Sequence, residues 1–149
     1  MIVTNKFRVE IKMKLLLVLL IFDIFFTIGW ITFLPPLNHF IKWLLFIVSL
    51  SLFIITIKYF TNLKVFHFEN TGMLFSVRHY HPLKKGNITP IIEYPVNRFQ
   101  SLKIENASPS SSIIIFVIIT KEKKRRFHIK VSGISNQELK LIEKSLSHS

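Results

Sequence analysis

No cysteine occurs in the sequence, so disulfides, thiolate metal centres and cysteine nucleophiles are excluded, and cysteine usage carries no information on redox compartment. The templates of common enzymes are missing as well. There is no Walker loop, no Gly-x-Gly-x-x-Gly, no Gly-x-Ser-x-Gly and no His-Glu-x-x-His. Acidic residues are scarce, eight against twenty Lys and Arg, which leaves a net charge of +12. The six acids after residue 60 are scattered among strand ends, loop edges and the last helix, with no adjacent pair for general acid–base work. These absences predict a non-enzymatic protein with no catalytic residues, no metal ligands and no cofactor.

What the sequence has in excess is hydrocarbon. Half of the 149 residues are hydrophobic and 15 are Phe, and this content is concentrated before residue 61. The remaining residues hold fourteen Lys and Arg against six acids, a local balance of +8. Such a segment can enclose one modest core. Three regions are therefore predicted: an N-terminal segment over 1–12, a helical hairpin over 13–60 and a small domain over 61–149.

Leu15 to Leu34 is a run of twenty residues with a single charge, Asp23. At about 1.5 Å per residue it is roughly 30 Å long, the thickness of a bilayer's hydrocarbon core. A second run, Phe40 to Phe60, has only Lys42 and Lys58, both near enough to its ends to snorkel. Pro35-Pro36-Leu37-Asn38 between them cannot continue a helix, and Trp30 and Trp43 flank it as interfacial aromatics do. The expectation is a transmembrane hairpin. The first run is too long for a cleaved signal peptide and no small-x-small site follows it. Lys6, Arg8, Lys12 and Lys14 precede the first span, and Lys58 and Lys64 close the second, whereas the turn offers only Lys42. This predicts a multi-pass protein of a bacterial inner membrane with both termini cytoplasmic.

An aspartate at a helix centre costs roughly 2.5–3.5 kcal/mol on insertion, while each Leu, Ile, Phe or Val returns about 0.3–0.6. Fifteen such residues between Leu15 and Leu34 outweigh it. Its carboxyl should not face lipid. Folding the hairpin about Pro36 and Leu37 sets Asp23 at the depth of Ser49 and Ser51, with Thr27 one turn along. Asp23, Thr27, Ser49 and Ser51 are thus the candidate intramembrane polar contact. They are either a clamp between helices or, more sharply, an oligomer contact or a proton-linked group lining a pore.

Beyond Phe60 the period changes. Lys64–Glu69, Gly72–Tyr80, Ile91–Tyr94, Phe99–Glu105, Ile113–Thr120 and Arg125–Val131 read as strands, the first two joined by an Asn70-Thr71-Gly72 turn. Phe127, Ile129 and Val131 alternate with Arg126, His128 and Lys130. Ser135-Asn-Gln-Glu138 is a capping box before a helix striped by Leu139, Ile142 and Leu146. The predicted fold class is α+β: a transmembrane hairpin, then a small antiparallel barrel or sandwich capped by a C-terminal helix.

Meander strands and a terminal helix after Gly133-Ile134-Ser135 resemble the bacterial pleckstrin-homology-like (PH-like) domains, which are often tethered to transmembrane hairpins. The likeness spans residues 62–147 by pattern and is closest over 90–147. It implies a seventh strand, which the alternation of Phe7, Val9 and Ile11 supplies unless that segment leads into the first helix.

Lys121, Lys123, Lys124, Arg125 and Arg126 cluster in one hairpin, and Lys84 and Lys85 lie on another loop. Just beneath an inner leaflet each such cation is worth about 1 kcal/mol against anionic headgroups. The alternative is a basic turn that serves only solubility and positive-inside bias. His79 and His81 share a strand face, as zinc ligands do, but no third ligand is evident and exposed strand-end histidines explain them. His128 reads as a surface residue. Nucleic acid fits poorly, because no aromatics interleave the basic cluster.

Two functions follow as expectations. One is an accessory or scaffold subunit whose PH-like module binds anionic lipid headgroups or a membrane-protein partner, with the hairpin forming a homo-oligomer contact. The other is a two-helix membrane effector of bacterial antiviral defence, in which a cyclic nucleotide on the β domain oligomerises the spans. A channel or transporter acting alone would need more than two helices per pore. Either Met1 or Met13 can serve as the start.

Overall fold

A computed structural model describes residues 1–33, 39–108, 111–120 and 123–147. The expected Pro35–Asn38 turn, Lys121 and the side chain of Trp30 lie outside the described residues. In chain order the elements are β1 (Ile2–Thr4), α1 (Lys6–Phe33), α2 (His39–Thr61), β2 (Val65–Asn70), β3 (Leu74–Tyr80), β4 (Ile92–Pro95), a 3-10 turn (Val96–Arg98), β5 (Phe99–Ser108), β6 (Ser111–Ile119), β7 (Lys124–Ser132) and α3 (Asn136–Ser147). The fold class is α+β. Two units separate: a β unit of Met1–Val9 with Lys64–Ser149, and a helical unit of Glu10–Leu63. The helical unit is therefore an insertion between the first and second strands of the β unit.

The β unit is built from two antiparallel sheets, ordered β1-β2-β3-β4 and β5-β6-β7. No ladder joins them among the described residues, so the expected barrel is not closed. Parity along each strand decides the packing. Phe66 and Phe68 of β2, Phe75 and Val77 of β3, and Ile92 of β4 point inward from the first sheet, all fully buried. Ile114, Phe116 and Ile118 of β6, with Ile129 and Val131 of β7, do the same from the second. Leu139, Ile142 and Leu146 of α3 complete this core, as their helical spacing requires. The capping box forms: Glu138 Oε2 accepts from Ser135 N at 2.6 Å and from Ser135 Oγ at 2.9 Å.

The seventh strand is not where alternation suggested. Ile2–Thr4 pairs antiparallel with β2, Val3 opposite Phe68, whereas Phe7, Val9 and Ile11 are helical. Of these three only Val9 is buried, at 3% exposure, while Phe7 is 74% exposed. Asn5 makes the switch. Its carbonyl accepts from Val9 N at 3.0 Å, opening α1. Its side chain, 1% exposed, donates to Ser132 O and accepts from Phe66 N, both at 2.7 Å, and so ties the helix start to both sheets. Arg8 adds bonds to Gly133 O at 2.6 Å and Glu138 Oε2 at 2.9 Å. Residues 1–9 are thus part of the β unit and not a separate leading segment.

The helical unit inverts this pattern. Its buried residues are polar, Asp23, Ser49 and Thr56, and its large aliphatics and aromatics are mostly exposed. Among the described residues one helix, His39–Thr61, is long and apolar enough to cross a membrane. Two were expected. α1 differs from it in charge, carrying Lys12, Lys14 and Asp23.

Candidate functional site

Within the helical unit, Asp23, Thr27 and Ser49 converge. Ser49 Oγ donates to Asp23 Oδ1 at 2.9 Å and lies 2.6 Å from Thr27 Oγ1, which also contacts the Asp23 carbonyl at 2.8 Å. Asp23 is the chain's only aspartate and is 8% exposed. Ser51, the other expected partner, is not in this cluster: its hydroxyl donates to Ile47 O at 2.7 Å and the residue is exposed. The two serines are two apart, so on a helix they lie about 200° apart and only one can face the neighbour. A cavity of about 200 Å³ opens beside the cluster, lined otherwise by Ile24, Ile28, Phe46, Leu50 and Phe53.

The basic residues divide more sharply than their adjacency in sequence suggests. On β7 the parity that buries Ile129 and Val131 sends Lys124, Arg126, His128 and Lys130 to the outer face of the second sheet. Arg125 sits on the opposite parity, and Lys123 belongs to the turn. In register, Ser101 and Arg126 flank Val117, and Lys103 and His128 flank Ile115. The outer strands are about 10 Å apart across β6, two inter-strand spacings. Lys103, Lys124, Arg126 and His128 thereby edge a cavity of about 340 Å³. Its floor is Ile115 and Val117, each 7% exposed. Among the described residues Glu105 is its only acid, paired with Lys103 at 3.2 Å. The outer face of the first sheet is mixed instead, with Arg78 beside Glu69 at 4.0 Å and Glu93 on the next strand.

No family model, curated protein or solved structure matches this chain.

Lys84 and Lys85 occupy a different part of the β unit, the loop after β3. The pairing of Val65 with Tyr80 sets the base of that loop beside Lys64, where the chain arrives from α2. Asn5, Arg8 and the end of β7 gather at this same crossing end. The Lys124 end of β7 lies at the other. There Val96 N reaches Met73 O at 3.0 Å, and Phe99, the first residue of β5, stacks edge-on against Phe75. Arg126 and Ser132 lie six positions apart along the strand, about 20 Å. The two expected basic groups, on the β6–β7 hairpin and on the loop after β3, thus lie toward opposite ends of the β unit.

No group of three or more His, Cys, Asp or Glu suited to a metal occurs among the described residues. Burial, then the Lys64 ammonium, lowers the His79 pKa. For His67 burial again comes first, followed by the Arg78 guanidinium. Sequence reasoning missed Ser101 and Lys103. Their alternation with Leu102 and Ile104 was legible, but the cross-strand register that carries them to Arg126 and His128 was not.

Proposed function

We propose that the protein is a non-enzymatic, bilayer-anchored binding module of the bacterial inner membrane. In this reading α1 and α2 cross the lipid as a hairpin, and the β unit stands on the cytoplasmic side as a PH-like accessory or scaffold. The observation that carries it is the inverted burial of the helical unit. Helices apolar on every face belong inside a protein core or inside lipid. Here Phe22, Phe25, Phe40, Ile47 and Ile54 are more than half exposed within the chain, so lipid is the cover that suits them. For α1 the apolar stretch still outweighs Asp23 on the insertion scale, and the carboxyl is turned to Ser49. Seven strands followed by a terminal helix support the PH-like likeness, with β1 as the strand that likeness requires.

The same bilayer's headgroups are the surface for the β3–β4 loop. Leu83 is 56% exposed, with Lys84 and Lys85 exposed beside it. An apolar tip with two cations suits an anionic interface, where each cation contributes about 1 kcal/mol. The test uses the full chain, since β1 precedes the helices and a fragment starting at residue 62 lacks it. Alkaline carbonate should leave the chain in vesicles. Amide exchange in the 81–91 loop should slow when zwitterionic nanodiscs are replaced by anionic ones, and this protection should vanish in high salt and in Lys84→Glu/Lys85→Glu. Release by carbonate removes the anchor, and exchange indifferent to lipid charge removes the headgroup contact.

A further inference from the structure

We infer that the outer face of the β5–β7 sheet is a binding site for a phosphomonoester whose organic part lies on Ile115 and Val117. Charge sets the ligand class. Lys103, Lys124 and Arg126 supply three positive charges and Glu105 one negative, so the rim carries a surplus of two. Lys124 and Arg126 have no acidic partner among the described residues. A phosphomonoester is close to a dianion at neutral pH, whereas a diester carries one charge. The guanidinium of Arg126 can take two phosphate oxygens in parallel, and Lys103 and Lys124 serve as point charges from across the floor and along the strand. Ser101 places a hydroxyl on the same face, directly across from Val117.

The floor sets the rest of the ligand. β6 is apolar on both faces, and its outward Ile115 and Val117 keep little contact with water. A bare phosphate would leave these side chains unused, while a flat or aliphatic group attached to the phosphate would cover them. At about 340 Å³ the cavity falls within the range of small-molecule sites. Its lining comes from β5, β6 and β7, whereas Lys84 and Lys85 lie on the loop after β3, so the two sites share no residue. It does not depend on the headgroup contact proposed above.

Phosphomonoesters occur both as soluble molecules and as the headgroup of phosphatidic acid, and the experiment separates the two. The full chain in zwitterionic nanodiscs is titrated with phenyl phosphate, inorganic phosphate and diphenyl phosphate, then again in discs containing phosphatidic acid. Phenyl phosphate should saturate one site, and more tightly than either other anion. Arg126→Ala and Lys103→Ala should each weaken it at least tenfold with the fold intact by circular dichroism, whereas Lys84→Glu/Lys85→Glu should leave it unchanged. Affinity unaltered by phosphatidic acid assigns the site to a soluble ligand, and competition from the lipid assigns it to the headgroup. Absence of saturable binding, equal binding of the diester, or full affinity in Arg126→Ala overturns the assignment.

Discussion

The two units of this chain obey opposite burial rules. In the β unit the largest fully buried side chains are Phe66, Phe68, Phe75 and Phe116, and Lys and Arg residues lie mostly outside. In the helical unit Asp23, Ser49 and Thr56 are enclosed, while Phe, Leu and Ile make the outside. A chain in one solvent cannot profit from both arrangements, because apolar area left in water costs roughly 25 cal/mol per Å². On the proposed reading the difference reflects two solvents, water for the sheets and hydrocarbon for the helices. In hydrocarbon the polar groups are the ones that seek each other.

The comparison breaks most visibly at matched phenylalanines. Phe116→Ala removes a fully enclosed ring that stacks on Phe75 and should destabilise the β unit by about 3–5 kcal/mol in denaturant unfolding. Phe25→Ala, at a ring 70% exposed within the chain, should leave that unfolding transition where it is. Equal losses at the two positions would show that the helical aromatics pack inside a fold of their own.

Next in size is the joint between strand and helix. Asn5→Ala deprives Phe66 N and Ser132 O of their partners in a buried place, and should cost about 2–4 kcal/mol by the same measurement. Deleting residues 1–4 should act in the same direction by stripping β1 from β2. If either change proves silent, the β unit is complete without its N-terminal strand and the insertion topology has no energetic meaning.

Inside the helical unit the effect is smaller. Asp23→Ala should weaken association of the two helices by about 1 kcal/mol, as buried hydrogen bonds between membrane helices do, with carbonate-resistant insertion unchanged. Ser49→Ala should match it and Ser51→Ala should not, since Ser51 bonds only to its own helix. A loss at Ser51 equal to that at Ser49 would place the contact on another helix face.

These contrasts mark what the sequence could disclose. Apolar runs, alternating over Arg125–Val131 and continuous over Ile113–Thr120, located all six strands of the larger segment to within a few residues. The capping box at Ser135 and the stripe of Leu139, Ile142 and Leu146 were legible for the same reason: their signal is local. The depth match of Asp23 with Ser49 followed from hairpin arithmetic alone. β1 was not legible. It has three residues, and its partner lies more than sixty positions away, beyond two long helices. The basic site was half legible. Adjacency suggested one cluster from Lys121 to Arg126, whereas strand parity divides Arg125 from Arg126 and register brings in Lys103.

The subtlest expected effect concerns protons. His67 and His79 lie on paired strands of the first sheet, and both have pKa values lowered by burial first and by neighbouring cations second. His79 Nε2 is enclosed with no hydrogen-bond partner among the described residues, which makes a charged ring still less welcome there. A histidine depressed in the fold binds its proton more readily when the chain is unfolded. Its contribution to stability is therefore full above its unfolded value near 6.5 and is lost as pH falls through the folded one. The melting temperature of the β unit should accordingly drop on acidification from neutral pH toward 5. His79→Gln should flatten part of that slope, because glutamine does not titrate, and His67→Gln a further part. The helical unit buries no histidine among the described residues. A slope that survives both substitutions would assign the acid sensitivity to groups other than these two rings.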